Sequence, residues 1–467
     1  MRQNAVNNQK KIQHLYARAG FGLDYATYTS TLTVGEHVDL LFDKSRKSDP
    51  VLVVDRSLLP RKDIKDLPKI KQVELLEEAV KYGKKLNVSW LNQMSSCDTV
   101  LREKMCLFWH GHFACRTLNP VFAQDLNNIQ RQYALGSFKE LLLAVSKSPA
   151  MLEFLNNKQN RKQHPNENFA RELMELFTIG RGHYTEQDIK ESARAFTGWT
   201  FDVKGNFEMK LAQHDEGEKT FMGRKGNFGG EDIINILLEQ KQTAHFICSK
   251  LYRFFVNDTV DDGVVAGLTE SFYNSGYDIQ KLMTELFGAD WFYDEKNIGT
   301  KIKSPVELLL GLNRSFGLKY NEPKTLFYIQ KVLGQILFLP PNVSGWPGGK
   351  NWIDSSSLMF RLKLASLLLD GGLIEVEEKD DNPEDYKEMM EKEKKAQAKV
   401  ERKIKAETDW GTFSASIPKG ISKRDLGEFL LSVIPSRPFL EQIIDPGADN
   451  LKSAVVEFLS SPEYQMC

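Results

Sequence analysis

Asn166-Glu167-Asn168-Phe169-Ala170-Arg171-Glu172-Leu173-Met174-Glu175-Leu176-Phe177-Thr178-Ile179-Gly180 is the stretch on which the fold turns. Phe169, Leu173, Leu176 and Phe177 fall at i, i+4, i+7 and i+8, so on a helix they form one apolar stripe. Charges flank that stripe. Glu167, Arg171 and Glu175 are successive i+4 neighbours, and Glu172 stands three residues before Glu175 and four after Asn168. This spacing lets two carboxylates converge on one cation. Taken alone, it favours an amphipathic helix with a solvated, salt-bridged flank over a reaction site.

Helical periodicity recurs at 11–19, 73–82, 98–109, 138–146, 187–196, 233–238, 243–255, 326–333, 357–369 and 425–434. A mainly α fold follows. Ser304-Pro305-Val306-Glu307 writes a helix start, with Ser at N-cap, Pro at N1 and Glu at N3, and Thr185-Glu186-Gln187-Asp188 resembles it with Asp in the closing position. Both read as caps rather than catalytic clusters. The clearest β-like piece is 199–211, where Thr200-Phe201-Asp202-Val203 and Phe207-Glu208-Met209-Lys210 flank Lys204-Gly205-Asn206 as a hairpin.

Between 375 and 407 charged residues dominate and large apolar ones almost vanish. The expected organisation is a large multi-helix single domain, 1–374 with 408–467, carrying 375–407 as a charged helical insertion. Asn382-Pro383 opens the run 384–405, which reads as a lone solvated helix held by pairs such as Glu388 to Lys392 and Glu391 to Lys395. A docking arm for a partner is the sharper alternative.

The chain of 467 residues can bury a large core, and its 62 basic and 63 acidic residues leave a formal charge of -1. That balance provides no global field for nucleic acid or anionic lipid. Cys97, Cys106, Cys115, Cys248 and Cys467 show no zinc-type spacing, and an odd number does not suggest a disulfide framework. Residues 1–10 lack the apolar stretch of a secretory signal, and no later run approaches the roughly 18 apolar residues of a membrane span. A soluble cytoplasmic protein is the default expectation.

Three further segments have chemistry-bearing side chains. In 102–113, Leu101, Met105, Phe108 and Trp109 lead as a buried stripe to His110, and Gly111 could end the helix so that His110 and His112 both turn inward onto a transition metal. One buried His and one surface His is the plainer alternative. In 213–223, adjacent His214 and Asp215 followed by Lys219 offer a metal ligand, an acid or base and an anion contact on one loop, against a solvated surface turn. In 340–352, rigid prolines and permissive glycines hold Trp346 and Trp352, either as platforms for a sugar or peptide or as pins fastening the loop to the core. The glycines of 223–230 match no phosphate-binding pattern, and Glu231-Asp232 would repel phosphate at the helix start, so this segment reads as a turn.

Taken in order, these segments resemble the bacterial domain-of-unknown-function family 1800. The resemblance rests on His14-Leu15-Tyr16-Ala17-Arg18-Ala19-Gly20-Phe21-Gly22, residues 108–113, 166–180, Tyr184-Thr185-Glu186, Ala193-Arg194-Ala195-Phe196-Thr197-Gly198-Trp199, His214-Asp215, Lys303-Ser304-Pro305-Val306-Glu307 and 345–352. It spans nearly the whole chain and transfers no reaction. Many relatives are predicted to be exported and are often encoded beside a family resembling sulfatases and alkaline phosphatases. The resemblance therefore implies a partner of that kind and a periplasmic or surface-associated setting, although the usual export signal is missing. Phe177 stands where many relatives have His, so a ligand at that position is not part of a mechanism shared here.

The leading functional expectation is a metal-dependent enzyme, a hydrolase ahead of an oxidoreductase. Its divalent metal would sit on His110, His112 and Glu175, with Glu172, His214 and Asp215 as catalytic groups and Lys219, Trp346 and Trp352 as substrate contacts. The alternative is a non-catalytic helical binding or assembly protein escorting a partner, with Arg171 bridging Glu167 and Glu175 and with Arg18, Arg102 or Arg194 closing similar buried pairs. Carbohydrate processing by Glu172 and Glu175 ranks last, because acids three apart on one helix lie on the same side of any substrate.

Overall fold

A computed structural model describes residues 6–59, 67–371, 406–447 and 450–467. Of the expected charged insertion only Ala406 and Glu407 fall within them, so its helix and docking arm lie outside the described residues. The rest is mainly helical, with three two-stranded antiparallel sheets among the described residues.

The amino-terminal third is α1 (Asn8–Ala19), α2 (Tyr25–Tyr28), α3 (Val34–Lys44), α4 (Lys69–Ser96) and α5 (Val100–His112). The middle adds α6 (Pro120–Gln132), α7 (Phe138–Ser146), α8 (Pro149–Phe154), α9 (Asn168–Glu172) and α10 (Glu186–Ala195). Two short hairpins follow, β1 (Trp199–Phe201) with β2 (Phe207–Met209) and β3 (Lys219–Phe221) with β4 (Arg224–Gly226). Next come α11 (Gly230–Glu239), α12 (Lys241–Phe255), α13 (Asp262–Asn274), α14 (Ile279–Gly288) and α15 (Pro305–Phe316). The chain closes with β5 (Lys319–Tyr320), α16 (Lys324–Leu333), α17 (Ser355–Asp370), β6 (Ala406–Glu407), α18 (Trp410–Ser416), α19 (Lys423–Leu430), α20 (Arg437–Gln442) and α21 (Leu451–Leu459).

Local chemistry writes many of these starts. The Thr185 and Asp188 side chains each take the other's backbone N–H at the head of α10, and Ser304 with Glu307 does the same for α15, where Pro305 fills the first position without losing a needed donor. The β1–β2 hairpin forms within the expected segment, pairing Trp199 with Met209 and Phe201 with Phe207, with Asp202 and Val203 in the turn rather than the strand. Asp202 accepts the backbone N–H of Lys204 and of Asn206, and Gly205 supplies the positive φ of +79° that the turn requires. The periodic run 425–434 overshoots, because α19 stops at Leu430. A feature the periodicity does not announce is the β3–β4 hairpin, turned by Met222 and Gly223 at φ 49° and 75°.

Two hydrophobic cores meet on α5. Leu101, Met105, Phe108 and Trp109 join the core built by α6 to α14, while Cys106 and Leu107 join a second core formed by α4, α15 to α17, α19 and α21. Every residue of α5 except Gly111 is buried, the signature of a helix covered all round. No helix of the described residues is long and apolar enough to cross a membrane.

Candidate functional site

Residues 166–180 do not form one α-helix. After α9 the chain widens into a π-helical turn, Leu173–Thr178, in which Ile179 N donates to Met174 O at 3.1 Å and the Thr178 hydroxyl donates to Leu173 O at 2.6 Å. The end of this turn exposes carbonyls that need donors from elsewhere. Lys250 Nζ of α12 donates to Leu176 O at 3.0 Å, His112 Nε2 to Phe177 O at 3.2 Å and Gln242 Nε2 to Ile179 O at 3.2 Å. His112 thus holds the π turn. Its Nδ1 accepts from Lys250 Nζ at 3.1 Å, which fixes the neutral tautomer protonated at Nε2. Burial, and then the Lys250 charge, keep the His112 pKa well below its usual value.

His110 goes elsewhere. α5 runs through Gly111 instead of ending there, so side chains two residues apart diverge by roughly 200°. The expectation that both imidazoles turn inward together is corrected accordingly. His110 Nε2 accepts the Phe338 backbone N–H at 3.0 Å inside a cage of Trp90, Phe338 and Trp346, and burial drives its pKa down to about 3. The loop 340–352 lies so close to α5 that a Cβ on Gly345 would fall 2.5 Å from Gly111 O, and Gly345 has φ +82°. Trp346 packs on His110 with centroids 5.4 Å apart, and Trp352 is 7 % exposed, so the indoles pin this loop to the body.

The carboxylates of α9 and its π turn differ sharply. Glu175 accepts from Arg181 Nε at 2.9 Å and from the Tyr184 hydroxyl. Burial alone would raise its pKa, but those two bonds outweigh it and hold the group below the usual range. Arg171 spans Glu167 at 3.3 Å, Glu175 at 3.8 Å and Glu186 of α10 at 2.9 Å, which is the bridging expected of it. Glu172 is half-buried and makes no hydrogen bond or ion pair among the described residues. Its pKa is raised by burial and then by the charge of Glu175, partly offset by Arg181 and Arg171.

His214, Asp215 and Lys219 form a third place. α10 presents Asp188, Glu191 and Arg194 to the second hairpin, and Arg194 grips Asp215 through two bonds, Nε to Oδ2 at 2.7 Å and Nη2 to Oδ1 at 3.1 Å. That guanidinium holds the Asp215 carboxyl below its usual range. Asp188 accepts Met222 N at 2.8 Å and Glu191 accepts Thr220 N at 2.9 Å, so the helix clamps the hairpin backbone. Lys219 is buried and donates to the carbonyls of Asp215 at 2.5 Å and Gly217 at 2.9 Å. It faces its own loop rather than an anion. His214 Nδ1 donates to Thr197 O at 2.8 Å.

Among the described residues no three His, Cys, Asp or Glu side chains assemble to hold a metal ion. His110, His112 and Glu175 therefore do not form the expected ligand set. A family model described as a protein of unknown function, DUF1800, matches residues 14–466. The chain belongs to the DUF1800 family. No curated protein and no solved structure matches it.

This DUF1800 chain also has charged pairs that its sequence did not advertise. Glu103 and Arg131 are each 1 % exposed and pair at 2.7 Å, with Trp90 Nε1 donating to the same carboxylate at 2.7 Å. Lys104 pairs with Glu307, whose side chain also caps α15. Of Arg18, Arg102 and Arg194, the last closes ion pairs of the expected kind, with Asp215 and Glu191, whereas Arg18 and Arg102 donate to backbone carbonyls. One signal was present: Glu103 and Lys104 share a helix with Val100, Leu101 and the apolar run from Met105 to Trp109, which leaves little of its surface for solvent.

Proposed function

We propose that the chain is a helical binding or assembly protein, and that its charged motifs hold the frame on which a protein partner docks. One observation carries this reading: of the candidate ligands, acids and bases, all except Glu172 already have intramolecular partners, spread over separate parts of the fold. Groups committed in this way fix packing, and releasing them would leave buried polar atoms unpaired. The family resemblance supports a partner related to sulfatases and alkaline phosphatases, in the periplasm or at the cell surface, with the cytoplasm as the alternative.

Glu172 favours a second reading. A half-buried carboxyl with a raised pKa beside a π turn is suited to proton transfer, and hydrolysis, with or without a divalent metal ion, is the reaction class it would serve.

Two measurements separate the readings. The binding reading expects the purified chain to co-elute with a sulfatase-like protein encoded beside a family member, and expects no hydrolysis of phosphate, sulfate or peptide substrates above the blank. Turnover by the natural chain that Glu172→Gln abolishes at unchanged stability would overturn it and establish the second.

A further inference from the structure

Four cations surround one carboxylate where the end of α1, α5, α15 and α17 converge. Arg18, Lys104 and Arg361 are 2 %, 1 % and 1 % exposed, and Lys303 is half-buried beside them. Only Lys104 pairs with Glu307. Arg18 donates to Asn297 O at 3.0 Å and lies 3.8 Å from Cys467 Sγ, leaving its Nε without an acceptor. Arg361 donates to Gln465 Oε1 at 3.1 Å and Lys303 O at 2.5 Å, leaving Nη1 without one. Lys303 Nζ donates to Tyr464 O at 2.7 Å and lies 3.6 Å from the centre of that ring. Three of the four cations thus meet no carboxylate among the described residues.

Buried charge is ordinarily paired, because neutral acceptors replace only part of the hydration it loses. The strain on this cluster registers at Lys303, whose ammonium burial pushes down to about 8, with Cys467 and Glu307 opposing the shift and Arg361 and Lys104 adding to it. A counter-charge is wanted, and there is space for it. Of the four cations Lys303 lines a pocket of about 60 Å³, together with Glu307, Tyr464 and Cys467, while Arg18, Lys104 and Arg361 stand behind its wall. Gly22, Leu23, Ser315 and Phe429 also line an adjoining lobe of about 150 Å³, which has Arg314 and the carboxylate Asp24 beside Tyr25 and Ser416. Arg314 likewise donates only to neutral carbonyls, those of Met94, Ser95 and Cys97.

We propose that this two-lobed cleft binds a small oxyanion-bearing ligand, with Lys303 as the charge contact and the Arg314 lobe holding the rest of the molecule. A phosphate, sulfate or carboxylate group supplies the missing negative charge, and the glycines at 22 and 311 keep the approach to Lys303 free of side chains. The cleft shares no residue with Glu172 or with the α10 clamp, so it is a separate site.

Titration calorimetry of the full chain with sodium phosphate, sodium sulfate and sodium acetate, at constant ionic strength in chloride, tests this. Saturable binding of at least one of the three at one site per chain is expected, and the ranking identifies the oxyanion. Lys303→Met should weaken it roughly tenfold or more, the loss typical of a charged hydrogen bond. Absence of saturable binding by the natural chain would overturn the proposal. Equal affinity in the natural chain and in folded Lys303→Met would do so as well.

Discussion

Glu103→Ala is expected to destabilise the protein by about 3–5 kcal/mol, the cost of removing one member of a fully buried ion pair. The carboxylate accepts from Arg131 at 2.7 and 3.2 Å, from Trp90 at 2.7 Å and from Gln93 at 3.0 Å, all inside the α4–α5–α6 contact. Its removal strands a guanidinium that is fully buried and left with only the neutral side chains of Asn127 and Asn128. Against a typical total stability of about 5–15 kcal/mol, this is a large fraction. Arg171→Ala is the control, because its ion pairs are about a third exposed and such pairs contribute at most about 1 kcal/mol each. Urea titration of both variants reads the difference. A loss under about 1 kcal/mol for Glu103→Ala would show that the α5 frame does not depend on this pair.

Glu307→Gln should cost a similar amount, and it should also change how the protein responds to acid. Burial alone would raise the Glu307 pKa, but the charge and hydrogen bond of Lys104, together with the Ser304 bonds, hold it down to about 2 from a usual value of 4.5. The folded-state pKa is depressed, so the stabilisation is complete above about pH 4.5 and is lost as pH falls toward 2. Its size is on the order of 3 kcal/mol. The variant has no carboxyl to titrate there, so the stability gap between natural chain and variant should narrow across this window. Denaturant midpoints measured from pH 6 down to pH 3 would reveal it, and a constant gap would exclude Glu307 as the group responsible.

The helices were legible because their determinants are local. An apolar residue every three or four positions, a Ser or Thr before a Pro, and an acid three residues on act within one turn, and α7 and α15 begin where those signals stand. The first hairpin was legible because Gly205 and Asn206 turn the chain within a few residues. What escaped depends on partners far away in sequence. Lys104 and Glu307 are 203 residues apart, and the π turn after α9 takes its donors from α5 and α12. Gly111 misled for a physical reason: α5 is packed on both sides and runs on through it to His112, and the glycine that the close loop contact requires is Gly345, which lies against the Gly111 carbonyl. At the candidate site the residue types were recognisable, yet which acid or base remained unpartnered among the described residues was decided by tertiary contacts, which left Glu172.

His112 decides between a structural frame and a metal centre most directly. Its ring is buried, donates to the last turn after α9 and accepts from Lys250, so His112→Ala removes two buried hydrogen bonds and opens a cavity. Urea denaturation of this variant, with elemental analysis of the same preparations, should show a loss of about 2–4 kcal/mol and the same metal content per chain as the natural protein. Stability within about 0.5 kcal/mol of the natural chain, together with loss of a stoichiometric metal ion, would contradict the account.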